Sequence, residues 1–316
     1  MFKAVCLQVL SIMPGGKALY RFLQAKISLP RIDLKRSLVL FKPELEAMRT
    51  QIGFKDRDFM EIGTGWSMLL PILLIGMGAR KVESFDLNPW LNRDSLLKSL
   101  AFLLGNRSEL LKVLTEDEFQ TFAWNKLESL KKELEQNENF RQALKEFSIH
   151  YHQPADASKA NLPDKSIDCV YSSKVLEHIS KGIIESIVTE ASRLLRPTGV
   201  QVHHITPSDH FLVKDGHGIN FLKYSADAWK YLGGSGLAYH NRMRPKDYEE
   251  IFIASDLDVI KKSIDVNPKA LNKLQAGFEV NREYADYPKD CLAADRVTYL
   301  IANRQRSQSN LGSQIL

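Results

Sequence analysis

Short apolar runs alternate with amphipathic stretches along most of the chain. Runs typical of buried strands occupy residues 59–62, 81–85, 148–152, 167–171, 200–205, 258–264 and 297–302. Helical patterns separate most of them: Ser180 precedes an amphipathic helix that ends before Pro197, and Pro245 begins another. Alternating strands and helices predict a doubly wound α/β fold, with a mostly parallel seven-stranded sheet covered on both faces.

Two stretches interrupt this alternation. Residues 91–147, after the second strand, have apolar positions at helical spacing, and Thr115 with Glu118 forms a capping-box pattern. We expect a helical insertion there, a candidate lid over the domain. A second insertion is expected at residues 206–243.

The remaining boundaries follow from composition. Residues 1–50 are expected to form an N-terminal helical extension, with short helices at 2–10 and 18–27. Residues 51–303 then form the main domain, and the polar residues 304–316 form a flexible tail. Apolar residues of the extension stand beside basic ones, so a peripheral membrane contact is the alternative to packing on the domain.

Charge and cysteine content limit the classes of function. The 316 residues carry a net charge of +5, and the basic residues are interleaved with acids, so no basic face for nucleic acid is expected. No apolar run reaches the roughly 20 residues that span a bilayer. Three widely spaced cysteines form no disulfide framework or zinc motif, which favours a reducing, cytoplasmic setting. The oligomeric state stays open.

A glycine-rich turn follows the first strand. Gly63, Thr64 and Gly65 lie between that strand and an apolar helix at residues 68–77, and glycine lets the backbone approach a ligand closely. Asp86 ends the second strand about 20 residues further on, where a carboxylate can accept hydrogen bonds from ribose hydroxyls. This unit predicts a nucleotide-cofactor site, and a helix cap is the alternative role for Asp86.

The residues around this turn carry a more specific resemblance. Residues 61–67 resemble the first motif of the class I, Rossmann-like S-adenosylmethionine-dependent methyltransferases, an acidic and an apolar residue followed by alternating glycines. Glu61 argues against a dinucleotide dehydrogenase, and Ser67 departs from the family, where a third glycine is usual. Residues 156–157, 162–170, 175–179 and 194–199 resemble later family motifs in the same order. The resemblance spans residues 56–303 apart from the insertions. Residues 209–211, 220–225 and 239–244 also resemble a bacterial subgroup whose methyl acceptor the resemblance does not identify.

The resemblance implies S-adenosylmethionine as cofactor and assigns roles to several residues. Glu61 would anchor its ammonium group, Asp86 its ribose and Asp156 its adenine amino group. Ser172, at the end of the fourth strand, would line the methyl-transfer cleft. The expected cofactor-binding residues are Glu61, Gly63, Thr64, Gly65, Asp86, Leu87, Asp156, Ala157 and Ser172.

A catalytic base is needed only if the acceptor atom carries a proton. We favour His203 and His210, at and beyond the fifth strand, with a structural histidine as the alternative for each. His203 and His204 cannot both face one site unless the strand has ended, because a strand alternates its side chains. Lys174 replaces a metal-binding Glu of some relatives, so no metal is expected.

The sequence therefore predicts an enzyme that transfers a methyl group to O or N of a small molecule, a sugar or a lipid-linked glycan. Arg242 and Arg244 are candidates to bind an anionic or polar group of that acceptor, with surface salt bridges as the alternative. Two other functions stay open, a degenerate methyltransferase fold that serves as a binding or scaffold module, and a nicotinamide-dependent oxidoreductase.

Overall fold

The computed structural model describes residues 33–209, 216–232 and 239–304, together with residues 10, 13–16, 18–20, 22 and 237. The two helices expected at residues 2–10 and 18–27 lie mostly outside the described residues, as does the tail after Arg304. The catalytic candidate His210 lies outside them too. No described helix has the length and apolar character needed to cross a bilayer.

Seven strands form one sheet in the order β3-β2-β1-β4-β5-β7-β6. Strands β1 to β5 pair in parallel, whereas β7 is antiparallel to both β5 and β6. Each of the seven expected strands overlaps an observed one, which confirms the mostly parallel seven-stranded sheet. The strands are β1 Asp58–Ile62, β2 Lys81–Phe85, β3 Ile149–His152, β4 Ile167–Ser173, β5 Leu195–Ile205, β6 Leu257–Val266 and β7 Ala294–Asn303.

Helices cover both faces of the sheet. We number them along the described chain as α1 Leu34–Leu40, α2 Lys42–Gln51, α3 Leu69–Gly76, α4 Arg93–Gly105, α5 Glu116–Gln120, α6 Trp124–Gln136, α7 Phe140–Glu146, α8 Lys181–Leu194, α9 Ala226–Leu232, α10 Pro245–Ala254, α11 Pro268–Gln275 and α12 Lys289–Leu292. Short 3-10 turns lie at Arg107–Lys112, Ala157–Lys159, Leu176–His178, Asn220–Lys223 and Arg282–Tyr284.

The alternation of side chains along each strand divides the core between the two faces. Phe59 of β1 and Val202 of β5 belong to a cluster that includes residues of α2, α3, α4 and α6. Met60 of β1 packs in a cluster with α8 on the opposite face. Residues of α8 and α10 cover the same face near β5 and β7. The two-residue period of a strand therefore decides which helices surround each strand residue.

The helical insertion forms a packed layer of the main core. Thr115 and Glu118 make the expected capping box at the start of α5. Leu100 of α4 and Leu127 of α6 are buried in the same cluster as Leu73 of α3. Helices α4 to α7 are thus held by apolar contacts with the domain, which argues against a lid that opens freely.

Candidate active site

The turn after β1 uses its two glycines for different reasons. Gly63 and Gly65 both have left-handed backbones, with φ of 79° and 64°. A Cβ on Gly63 would lie 2.5 Å from Cγ2 of Val175, whereas a Cβ on Gly65 would meet no atom within 4 Å. Gly63 therefore permits close packing inside the protein, and Gly65 borders open space that a ligand can occupy. Ser67 does not have a positive φ, so its backbone requires no third glycine.

Asp86 connects this turn to the end of β2. Its Oδ2 accepts a hydrogen bond of 2.8 Å from the Gly65 amide, and its Oδ1 accepts one of 2.7 Å from the Asn88 amide. The side chain is mostly buried, and burial raises the pKa of the carboxyl group. Each carboxylate oxygen can accept a second hydrogen bond, so Asp86 combines a local turn contact with capacity for ribose hydroxyls.

Glu61 lies beneath the turn, buried with 6% of its surface exposed. Its Oε2 accepts a hydrogen bond from Ser84, which is also bonded to Thr64. Burial, and secondarily the charge of Asp86, raises the pKa of Glu61 to about 8. None of the ion pairs among the described residues includes Glu61. A cation such as an ammonium group would compensate this buried carboxylate, so the residue fits its expected role.

The expected adenine side of the site lies beside Asp86. The backbone of Asp86 is bonded on both sides, its N–H to His152 O and its C=O to the Ala155 amide. Asp156 follows directly; its side chain is exposed and accepts a hydrogen bond from the Ser158 amide at 2.9 Å. Leu87 is 63% exposed, although it is a large apolar residue. An exposed leucine beside an exposed carboxylate suits the flat ring and amino group of an adenine.

Ala157 and two tryptophans border this region. Ala157 is buried against Ile62 and Phe85 at the ends of β1 and β2. The rings of Trp66 and Trp90 lie 4.5 Å apart between centroids, at an angle of 31°. Because Trp66 follows Gly65 and Trp90 follows the Asp86 turn, this aromatic pair holds the two loops together.

The structure places His203 and Ser172 inside the core. His203 is fully buried, with Nδ1 2.9 Å from Ser172 Oγ and Nε2 3.1 Å from Gln201 Oε1. Its ring stacks on Phe252 of α10, and burial lowers its pKa to about 3. Both ring nitrogens are therefore occupied within the core, which favours a structural histidine, the alternative role for His203. The Ser172 side chain points into the same core and does not line a cleft.

Arg242 and Arg244 also turn inward. Arg244 is fully buried and donates to the carbonyl oxygens of Pro207, Cys291 and Ala294. Arg242 donates to two backbone carbonyls of the second insertion and pairs with Glu283 at 3.0 Å. These contacts connect the second insertion to the C-terminal part of the chain, and they correct the expectation that either arginine binds the acceptor.

Three polar residues near the carboxyl ends of the parallel strands were not predicted as site residues: Glu44, Ser173 and Ser84. Glu44 of α2 is fully buried and accepts a hydrogen bond of 2.7 Å from Ser173 Oγ, at the end of β4. Glu44 stands three residues after Phe41 and four before Met48, both buried. This spacing places an acidic residue on the apolar face of a helix, and that pattern in the sequence could have identified Glu44 as a buried acid. Ser84, which contacts Glu61, carries no comparable sign.

Other features of the surface do not coincide with this site. Among the described residues, no group of three or more His, Cys, Asp or Glu side chains is arranged to hold a metal. An open depression of about 320 Å³ is lined by Asp58, Arg80, Lys81, Lys145, Ser148 and His150. Asp58 begins β1 whereas Glu61 lies at its carboxyl end, so this depression is at the opposite sheet edge from the glycine turn.

Comparisons with known proteins agree with this geometry in part. Residues 122–202 match a family model described as a methyltransferase domain; the match includes Asp156 and excludes the glycine turn. A search among curated proteins gives no match.

Among solved structures, a chain of the Haloferax volcanii complex between the Trm112 methyltransferase activator and a methyltransferase is 12% identical, with 90% of this chain and 96% of that chain covered and a TM-score of 0.46. An S-adenosylmethionine-dependent methyltransferase from Clostridium acetobutylicum is 13% identical, with coverages of 89% and 96% and a TM-score of 0.44. Geranyl diphosphate methyltransferase in complex with S-adenosylmethionine is 11% identical, with coverages of 83% and 85% and a TM-score of 0.44. These likenesses are low in sequence and partial in geometry, so they carry no further weight.

Proposed function

We propose that this chain is a class I S-adenosylmethionine-dependent methyltransferase, which its family match and its sheet support. It transfers a methyl group to an oxygen or nitrogen atom of a small molecule, a sugar or a lipid-linked glycan. One observation carries the proposal for the cofactor site. The Gly65 amide is hydrogen-bonded to Asp86, whose charge acts on the buried Glu61, so a left-handed glycine and two carboxylates lie near one another where β1 and β2 end.

The described residues fit the cofactor part by part. Glu61 would compensate the ammonium group, Asp86 would accept from the ribose hydroxyls, and Asp156 with Leu87 would receive the adenine. Bound S-adenosylmethionine supplies a methyl group on a positively charged sulfur. The protein contributes by aligning the acceptor atom with this methyl group, and well-oriented intramolecular reactions can reach effective molarities of about 10⁵–10⁸ M.

Binding of S-adenosylhomocysteine, measured by titration calorimetry, tests the proposal. We expect micromolar affinity for the intact protein. Asp86→Ala should weaken it about tenfold or more, because charge-assisted hydrogen bonds contribute about 1.5–3 kcal/mol each. Asp94→Ala, in the first turn of α4, is a control that should bind as the wild type does.

The same measurement separates the competing functions. A scaffold with a degenerate site would bind neither S-adenosylmethionine nor S-adenosylhomocysteine. A nicotinamide-dependent oxidoreductase would be stabilised against heat by NAD and not by S-adenosylhomocysteine. Either result would replace the methyltransferase proposal.

A further inference from the structure

Four polar side chains, on helix α2 and on strands β4, β5 and β7, meet near the carboxyl ends of β4 and β5. Glu44, Ser173, His204 and Thr298 form this group, which we call the Glu44 cluster. Ser173 Oγ donates to Glu44 Oε1 at 2.7 Å, and His204 Nδ1 lies 2.8 Å from Thr298 Oγ1. Glu44 Oε2 lies 3.8 Å from His204 Nδ1. The cluster thus joins the N-terminal helices to three strands of the sheet.

The cluster contains buried atoms that lack partners. Glu44 and His204 are 0% and 1% exposed. Among the described residues, neither Glu44 Oε2 nor His204 Nε2 has a hydrogen-bond partner. Buried polar atoms are nearly always paired in folded proteins, so such a pair of exceptions requires an explanation. A polar ligand within hydrogen-bond reach of these atoms would supply it.

The position of the cluster relates it to the glycine turn. Lys174 follows Ser173 and donates its amide to His204 O at 2.8 Å. Val175, the next residue, is the one that a Cβ on Gly63 would strike. Through Val175 the cluster therefore adjoins the glycine turn, on the β4 side of the point where β1 has β2 on one side and β4 on the other. Ligands bind at such switch points of parallel sheets.

The backbone at this place is unusual as well. Lys174 has a left-handed φ of 57°, which is costly for a residue with a side chain. Ser173, which donates to Glu44, is itself half-buried, so this member of the Glu44 cluster is partly exposed. Strained residues of this kind concentrate at functional sites, where the surrounding structure holds them in place.

The charges around the cluster leave it poised for proton transfer. Burial raises the pKa of Glu44 to about 7, and the Ser173 hydrogen bond and Lys174 lower it in part. Burial, with Lys174 and Arg296, lowers the pKa of His204 to about 4. At neutral pH, Glu44 is therefore near its midpoint and His204 is uncharged.

We propose that the Glu44 cluster is the methyl-acceptor site, that it takes an acceptor with a hydroxyl group, and that Glu44 accepts the hydroxyl proton; the proposal rests on the methyl transfer proposed above. The acceptor oxygen forms a bond to the methyl carbon, the carbon–sulfur bond of S-adenosylmethionine breaks with its electron pair kept by sulfur, and the proton passes to Glu44 Oε2.

A hydroxyl fits the cluster better than a protonated amine does. A hydroxyl can donate its one proton to Glu44 Oε2 and still accept a hydrogen bond from the neutral His204 ring, in the tautomer that carries its proton on Nε2. A protonated amine offers only donors, and it would be repelled by Lys174, whose charge already acts on Glu44. The proposed acceptor class is therefore an alcohol.

The first experiment compares Glu44→Gln with Glu46→Gln, a control on the same helix whose side chain is 53% exposed. Both variants should bind S-adenosylhomocysteine as the wild type does in calorimetry. In a radiolabelled methyl-transfer assay against fractionated lysate of the source organism, Glu44→Gln should be slower by about 100-fold or more, as expected for loss of a general base. Glu46→Gln should retain the wild-type rate.

The second experiment needs no acceptor. The pKa of Glu44 is about 7 in the folded protein and 4.5 in the unfolded chain, so the folded protein binds the proton more tightly. The free energy of unfolding therefore falls as pH rises from 4.5 to about 7 and Glu44 loses its proton. Urea unfolding at pH 8 should therefore find Glu44→Gln at least as stable as the wild type. A less stable variant would mean that Glu44 serves the fold, and the proposal would be abandoned.

Ser173→Ala provides a third measurement. Because the Ser173 hydrogen bond lowers the pKa of Glu44, its removal should move the rising limb of the rate–pH profile to higher pH. A merely structural Glu44 would leave that limb unmoved, and this result would count against the proposal.

These outcomes distinguish the two proposals. Wild-type protein that binds no S-adenosylhomocysteine defeats the methyltransferase function and the acceptor site with it. Cofactor binding together with undiminished transfer by Glu44→Gln defeats only the acceptor site. If S-adenosylhomocysteine binds and no fraction is labelled, the unfolding comparison at pH 8 decides.

Discussion

The amide of Gly65 donates a 2.8 Å hydrogen bond to Oδ2 of Asp86, so the turn after β1 and the acid after β2 form one unit. The local structure around each residue does not determine this contact, because the two residues follow different strands. The hydrogen bond holds the backbone of Gly65, which borders open space, beside the carboxylate of Asp86. That carboxylate can accept further hydrogen bonds. A ligand that contacts one of these residues therefore reaches the other as well.

The two glycines of this turn should respond differently to alanine. Gly63→Ala adds a Cβ that strikes Val175 and a side chain to a left-handed backbone, so we expect a loss of about 3 kcal/mol of stability. Gly65→Ala carries only the backbone cost, about 1–2 kcal/mol, and should instead weaken S-adenosylhomocysteine binding. Urea unfolding and calorimetry measure the two effects. Adding Val175→Ala to Gly63→Ala should recover part of the lost stability.

The buried Glu61 should make stability depend on pH. Its folded pKa of about 8 is above the unfolded 4.5, so its stabilising contribution is present at low pH and lost as pH rises from 4.5 through 8. Between pH 6.5 and 8.5 the wild type should lose roughly 2 kcal/mol more than Glu61→Gln does. Urea unfolding at the two pH values tests this. Equal losses would show that Glu61 is already ionised in the folded protein at pH 6.5.

His203 should behave as a structural residue. His203→Leu leaves Ser172 Oγ and Gln201 Oε1 without a buried partner, and we expect a loss of about 2–4 kcal/mol of stability. S-adenosylhomocysteine affinity, measured well below the unfolding temperature, should stay at the wild-type value. Ser172→Ala, which removes one of the two bonds, should have a smaller effect. A His203→Leu variant with full stability and no methyl transfer would restore His203 as a catalytic candidate.

Arg244 should matter for folding and not for acceptor affinity. Arg244→Met leaves the carbonyls of Pro207, Cys291 and Ala294 without their donor in a buried place, and should reduce stability by about 3 kcal/mol or more. Thermal and urea unfolding test it. Arg296→Met, at a half-exposed residue of β7, is the comparison and should cost much less.

The sequence by itself determined the layout of the fold and predicted the residues proposed to bind the cofactor. Strand periodicity located all seven strands, because each buried strand is a short apolar run between turns. The capping box of Thr115 and Glu118 was also predictable from the sequence, because it depends only on two residues three positions apart. Gly63, Gly65 and Asp86 were identifiable because a left-handed turn and a strand end restrict which residues can stand there.

Only the tertiary structure decided which polar residues remain at the proposed site and which face the core. His203 and His204 are adjacent, yet β5 directs one toward α10 and the other toward α2, because a strand alternates its side chains. Sequence reasoning recognised that the two must diverge and could not know which helices cover each face. Glu44 is 160 positions from His204 along the chain, and the two meet only because α2 packs across β5. Such pairings depend on the relative placement of distant elements, which no local pattern in the chain encodes.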